Sequence, residues 1–162
     1  MFKRHLQVLS LLTTLGIMNG VVVAYPVNAC DFKDHQGQSH QVISDFHVSV
    51  DLHSVTQHHQ EMTSKHNEPL GFVGTHLLMV DVADRNTGES VSNASVSAKV
   101  YDSEKKLLGN SQGTPLSYFR PQGRTPYYGV GYTLSKKGNY KFEITIKQGK
   151  NTQTAIFNLI VR

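Results

Sequence analysis

The sequence predicts an all-β fold, an antiparallel sandwich, and three observations carry that expectation. Apolar and polar residues alternate with a period of two in several short stretches. Turns rich in Gly and Asn separate those stretches at fairly regular spacing. No long 3.6-residue periodicity occurs outside the first two dozen residues.

The elements follow in order. Phe46, Val48, Val50 and Leu52 alternate with His47, Ser49, Asp51 and His53, which predicts a strand with one face in the core and the other toward solvent. A second strand runs from His76 through Leu78, Val80 and Val82, with Leu77 and Met79 suggesting burial on both faces near its start. Asp84 to Gly88 makes a turn, with Asn86 and Gly88 available for positive φ. Val96, Ala98 and Val100 form the next strand, and Leu107-Leu108 starts a short one. Residues 109–126 carry Gly109, Gly113, Pro115, Pro121, Gly123 and Pro126 and read as loop, apart from an extended piece around Leu116 to Phe119. In the strand Tyr128 to Leu134, Gly129 and Gly131 leave one face bare, which predicts a bulge or close approach by another backbone. Tyr140 to Ile146 and Ala155 to Val161 complete the set, joined by the turn Gln148-Gly149-Lys150-Asn151. Gly138-Asn139-Tyr140 has the form of a tyrosine corner, a mark of immunoglobulin-like sandwiches; the alternative is an ordinary strand aromatic.

The N-terminus reads differently. Lys3, Arg4 and His5 precede a mainly apolar stretch from Val8 to Val23, the pattern of a secretory signal peptide. Cleavage after Ala24 fits the small-x-small pattern, and so does cleavage after Ala29. Retention as an uncleaved anchor is the competing reading, because Val8 to Val27 is long enough to span a bilayer. Cleavage after Ala29 would make Cys30 the first mature residue, the lipidation arrangement of bacterial lipoproteins, although Asn28 sits where a small or apolar residue is usual. Cys30 is the sole cysteine, so no intramolecular disulfide can form. The expected organisation is a signal peptide at 1–24, a mobile segment at 25–40, and a sandwich at 41–162 interrupted by a His-rich loop at 56–70. The mature part, about 130 residues, is one domain by length. The expected location is the bacterial periplasm, soluble or membrane-anchored.

The net charge of +4 is small and scattered, which argues against nucleic acid as a partner. No phosphate-cradling glycine loop points to a small organic cofactor, and no G-x-S-x-G elbow points to a hydrolase. The sequence reads as that of a non-enzyme.

The stretch Leu78-Met79-Val80-Asp81-Val82 … Thr87-Gly88 … Val91 … Ala94-Ser95-Val96 … Val100 is similar to small bacterial periplasmic immunoglobulin-like domains. Tyr128 to Leu134 and Gly138 to Phe142 continue the likeness. The groups it resembles are the YtkA-like and FixH-like domains and, more loosely, CopC-type copper proteins. The resemblance covers about residues 75–147. It implies an envelope location and, in several relatives, a tie to metal handling; it carries over no catalytic residue.

The histidines lie mostly outside that stretch. Residues 30–76 hold eight of the nine, and residues 77–162 hold none. Imidazole, carboxylate and thioether are ligands for copper and zinc, and the thioether favours Cu(I). The candidate ligands are His53, His58, His59, Met62 and His66, with Asp51 or Glu61 contributing. Asp51 and His53, about 6.6 Å apart on one strand face, could share an ion; His47 and His53, about 20 Å apart, could not. His76 and Met79, three apart, point to opposite faces. The spacing matches no zinc finger and no H-E-x-x-H helix, so polar-loop histidines without a specific ion are the plainer alternative. The competing function is a metal-free assembly module that contacts an envelope or membrane protein through Tyr118, Tyr127 and Tyr128.

Overall fold

The computed structural model describes residues 39–66, 72–121 and 124–162, with no side-chain detail for 61–66. The expected signal peptide, the 25–38 part of the mobile segment and Cys30 lie outside the described residues. No helix among the described residues is long and apolar enough to cross a membrane.

Ten strands form two antiparallel sheets, and the fold is an immunoglobulin-like β-sandwich. The first sheet has the order β1-β2-β3-β8-β7, from Ser39–Ile43, Phe46–Ser54, His76–Asp84, Tyr127–Tyr132 and Ser117–Phe119. The second has the order β10-β9-β4-β5, from Asn151–Val161, Gly138–Gln148, Ser95–Tyr101 and Leu107–Leu108, with β6 (Thr114–Pro115) also paired to β4. The alternation of apolar residues sets the register, because a slip of one residue would turn every core side chain outward. Val48, Val50 and Val80 of the first sheet meet Phe142, Ile144 and Phe157 of the second in the core, each at most 1% exposed. A buried side chain of this kind contributes about 1.5–3 kcal/mol. The β9–β10 hairpin turns at Gly149, whose φ of 59° suits a two-residue loop.

The tyrosine corner is present. Tyr140, 3% exposed, donates its hydroxyl to the Lys136 carbonyl at 2.8 Å and ties the start of β9 to the chain before it. Tyr132, buried in the core, donates to the Ala98 carbonyl at 3.2 Å and bridges the sheets.

Three elements differ from the sequence expectation. Ser39–Ile43 is a strand, so the sandwich begins inside the segment expected to be mobile. Residues 55–66 form helix α1 rather than a loop. The Ser54 hydroxyl accepts the Gln57 amide at 3.4 Å, a long N-cap contact, and Gln, Glu, Met and Lys in the helix are good helix formers. The third difference concerns the outer face of the first sheet. Asp51 and His53 were expected in solvent, but both are buried, with His58 of α1 against His53 and the Val73 backbone against Gly131 further along the face.

Gly131 permits that cover. A Cβ placed on it would sit 2.0 Å from the Val73 carbonyl oxygen. At Gly131 the bare strand face is thus a close backbone approach, while at Gly129 the rings of Tyr127 and Phe119 take the space. Hydrogen bonds from the Val55 amide to the Thr75 carbonyl (3.0 Å) and from the Thr75 amide to the Tyr132 carbonyl (2.9 Å) hold the segment in place.

Candidate metal site

The β2–β3 ladder sets the outer face. Asp51 lies opposite Met79, His53 opposite Leu77, and Ser49 opposite Asp81. Met79 and Leu77 face Gly129 and Gly131 on β8. A solvent-washed sheet face would leave these positions exposed, yet Leu77 is 0% exposed, His53 5% and Asp51 6%.

The side chain that closes this space is His58, 4% exposed on α1. Its ring centroid lies 5.7 Å from that of His53, at a tilt of 54°. On its other side His58 meets the edge of Phe72, centroids 6.3 Å apart. Phe72 then packs on Phe119 at 5.0 Å, and Phe119 stacks on Tyr127 at 5.3 Å. This aromatic row walls the imidazoles from water on the β7–β8 side.

Asp51 Oδ1 accepts the Leu52 amide at 2.8 Å. Its Oδ2 lies 2.8 Å from Nε2 of His53, a charge-pair distance without the angle of a hydrogen bond. Two donor atoms bonded to one transition ion at about 2.0–2.2 Å stand roughly 3 Å apart, so a small opening of this pair admits an ion between them.

A second carboxylate lies one row along the face. Oδ1 of Asp81 is shielded from solvent and has no hydrogen-bond partner among the described residues. Burial pushes the Asp81 carboxyl up to about 6, partly offset by the Val82 backbone amide.

The sequence-derived ligands therefore divide. Asp51, His53 and His58 come together. His59, the next helical residue, is exposed. Glu61, Met62 and His66 sit on the same helix by position, and their side chains lie outside the described residues. The described residues hold no ready group of three His, Cys, Asp or Glu side chains set around one point. His76 belongs to the opposite face from Met79, as the spacing predicts, and burial lowers its pKa. Sequence reasoning missed Asp81 and the Met79–Asp51 pairing; the burial on both faces expected near the start of the second strand holds at Leu77, and what was missed is that the cover reaches Asp51 and His53 on the neighbouring strand.

The tyrosine surface is corrected. Tyr127 is 7% exposed and Tyr128 2%, and Tyr128 donates its hydroxyl to the Val91 carbonyl at 2.8 Å. Tyr118 is half-buried, its ring centroid 5.0 Å from that of Tyr128. Cross-strand pairing of β7 with β8 uses these rings for packing.

No protein-family model matches the chain, and no curated protein matches it. Solved structures do. A DUF4426 family protein from Pseudomonas aeruginosa superposes with a TM-score of 0.56 at 19% identity, covering 78% of this chain and 95% of that one. FetP from a uropathogenic Escherichia coli strain, produced recombinantly in the periplasm, gives a TM-score of 0.58 at 10% identity, covering 77% and 93%. A copper-bound variant of the same FetP gives 0.54 at 8% identity, covering 75% and 93%. At these identities the shared property is the fold. The fold they share is a small β-sandwich; in this chain its first sheet carries a helix over buried acid and imidazole groups.

Proposed function

We propose that this protein is an exported, non-enzymatic β-sandwich that binds or passes on a transition metal, copper ahead of zinc, at Asp51, His53 and His58 beneath α1. The observation that carries the reading is the burial of a carboxylate and two imidazoles together on a sheet face. Burying such groups costs several kcal/mol unless pairing or an ion compensates, and apolar residues would seal the same face more cheaply. The donor types suit copper and zinc. Met79 opposite Asp51, and Met62 on the covering helix, favour copper because a thioether is a soft ligand. The copper-bound FetP neighbour supports the same preference through a shared fold. The leader pattern and the periplasmic production of FetP support an envelope location.

The test is a titration of the full chain, expressed with its own leader and stripped with chelator. Cu(I), Cu(II) and Zn(II) are added against a competing chelator. Stoichiometric, submicromolar binding that is lost in His53→Ala and in the shape-preserving His58→Gln supports the reading, provided circular dichroism shows both variants folded. Weak binding that neither substitution changes sinks it.

A further inference from the structure

A second pair of imidazoles meets at the far end of the same sheet face. His40 on β1 and His47 on β2 are diagonal neighbours, since His40 lies opposite Ser49 and Val42 opposite His47. Both side chains project outward, beside the edge of the first sheet. Their rings stack with centroids 5.3 Å apart and planes 17° apart. Nε2 of His40 stands 3.1 Å from Nδ1 of His47.

That separation has a chemical meaning beyond a hydrogen bond. Two imidazole nitrogens bonded to one ion at about 2.0–2.1 Å stand roughly 2.9 Å apart at a right angle and about 3.4 Å apart at the tetrahedral angle. The pair already sits inside this range. Turning each ring by about 35–45°, with His40 exposed and His47 half-buried, would bring both lone pairs onto one ion, with loss of the shared hydrogen. The residues directly opposite in the ladder are Ser49, Val42 and Ala83, none of them charged, so no ion pair has to break. The site is separate from the first: His47 and His53 are six residues apart on β2, about 20 Å by the strand rise.

We propose that His40 and His47 form a surface site for a divalent transition ion, bound through Nε2 of His40 and Nδ1 of His47, with the remaining coordination positions open to water or an incoming donor. Such a site exchanges its ion readily, in contrast to one closed under a helix. It stands independently of the buried site.

The test uses the full chain, metal-free, with Zn(II) and Cu(II) counted by equilibrium dialysis. The His40→Ala/His47→Ala variant should lose one equivalent that His53→Ala retains, and its metal-free thermal melt should stay close to the wild type because His40 is exposed and His47 only half-buried. In NMR, the ring resonances of His40 and His47 should shift together at substoichiometric Zn(II). If only one equivalent binds and the His40/His47 variant loses it, the surface site stands and the buried-site reading falls. Unchanged stoichiometry and affinity in the double variant overturn the proposal, as do ring resonances unmoved by Zn(II).

Discussion

Replacing Asp81 by Asn should stabilise the metal-free protein at neutral pH. The Asp81 carboxyl is buried on one oxygen and its pKa is raised from 3.8 to about 6. Folding therefore favours the protonated acid. Its contribution is fully present below about pH 4, is lost as pH rises through about 6, and stays lost above that. A shift of about two units at ~1.36 kcal/mol each makes the ionised group cost up to about 3 kcal/mol. Asn resembles the protonated acid in shape and keeps an acceptor for the Val82 amide. The variant should thus match the wild type near pH 4 and exceed it by about 2–3 kcal/mol at pH 7.5. Urea unfolding at four pH values, with chelator present, reads this directly. A difference that does not change with pH would refute the reasoning, and so would a variant less stable than wild type at pH 7.5. With metal present the sign can reverse, because a nearby cation stabilises the carboxylate.

Other substitutions test other joints. Tyr140→Phe removes the 2.8 Å bond to Lys136 and should cost about 1 kcal/mol by chemical denaturation. Gly131→Ala places a methyl group against the Val73 carbonyl, so it should cost more than about 3 kcal/mol or expel residues 72–75, seen as new protease cleavage there. His53→Ala leaves the buried Asp51 carboxylate without its imidazole and should destabilise by about 3 kcal/mol. Adding Asp51→Ala should recover part of that loss, which a double-mutant cycle measures.

The strands were legible because burial on one face writes a period of two into the chain. Phe46 to Leu52, Tyr140 to Ile146 and Ala155 to Val161 all lie in strands that point those residues inward. The corner at Tyr140 was legible from three residues. The close approach at Gly131 was legible as a missing side chain, though not which backbone would fill the space. The helix was hidden because its described first half, Val55 to Gln60, buries the imidazole of His58 rather than a stripe of apolar residues. Strand β1 was hidden because Ser39–Ile43 is short and mostly polar. For the site, Asp51, His53 and His58 were legible as ligand types. Their burial was legible only on the facing strand, where Leu77 and Met79 break the polar side of the alternation; on β2 itself Asp51 and His53 alternate as solvent-facing residues would.

The pairing of β2 with β3 closes at Ser54 and His76, so the chain from 55 to 75 leaves the sheet and returns to the same point. A turn of a few residues could make that connection, and loop-closure cost grows only slowly with length. The excursion is therefore dispensable for connectivity, and it could be exchanged for a tight turn without altering the strand order. What it supplies is a roof. Without it Leu77, Asp51 and His53 would have no inside to belong to, and Gly131 would no longer have to be a glycine.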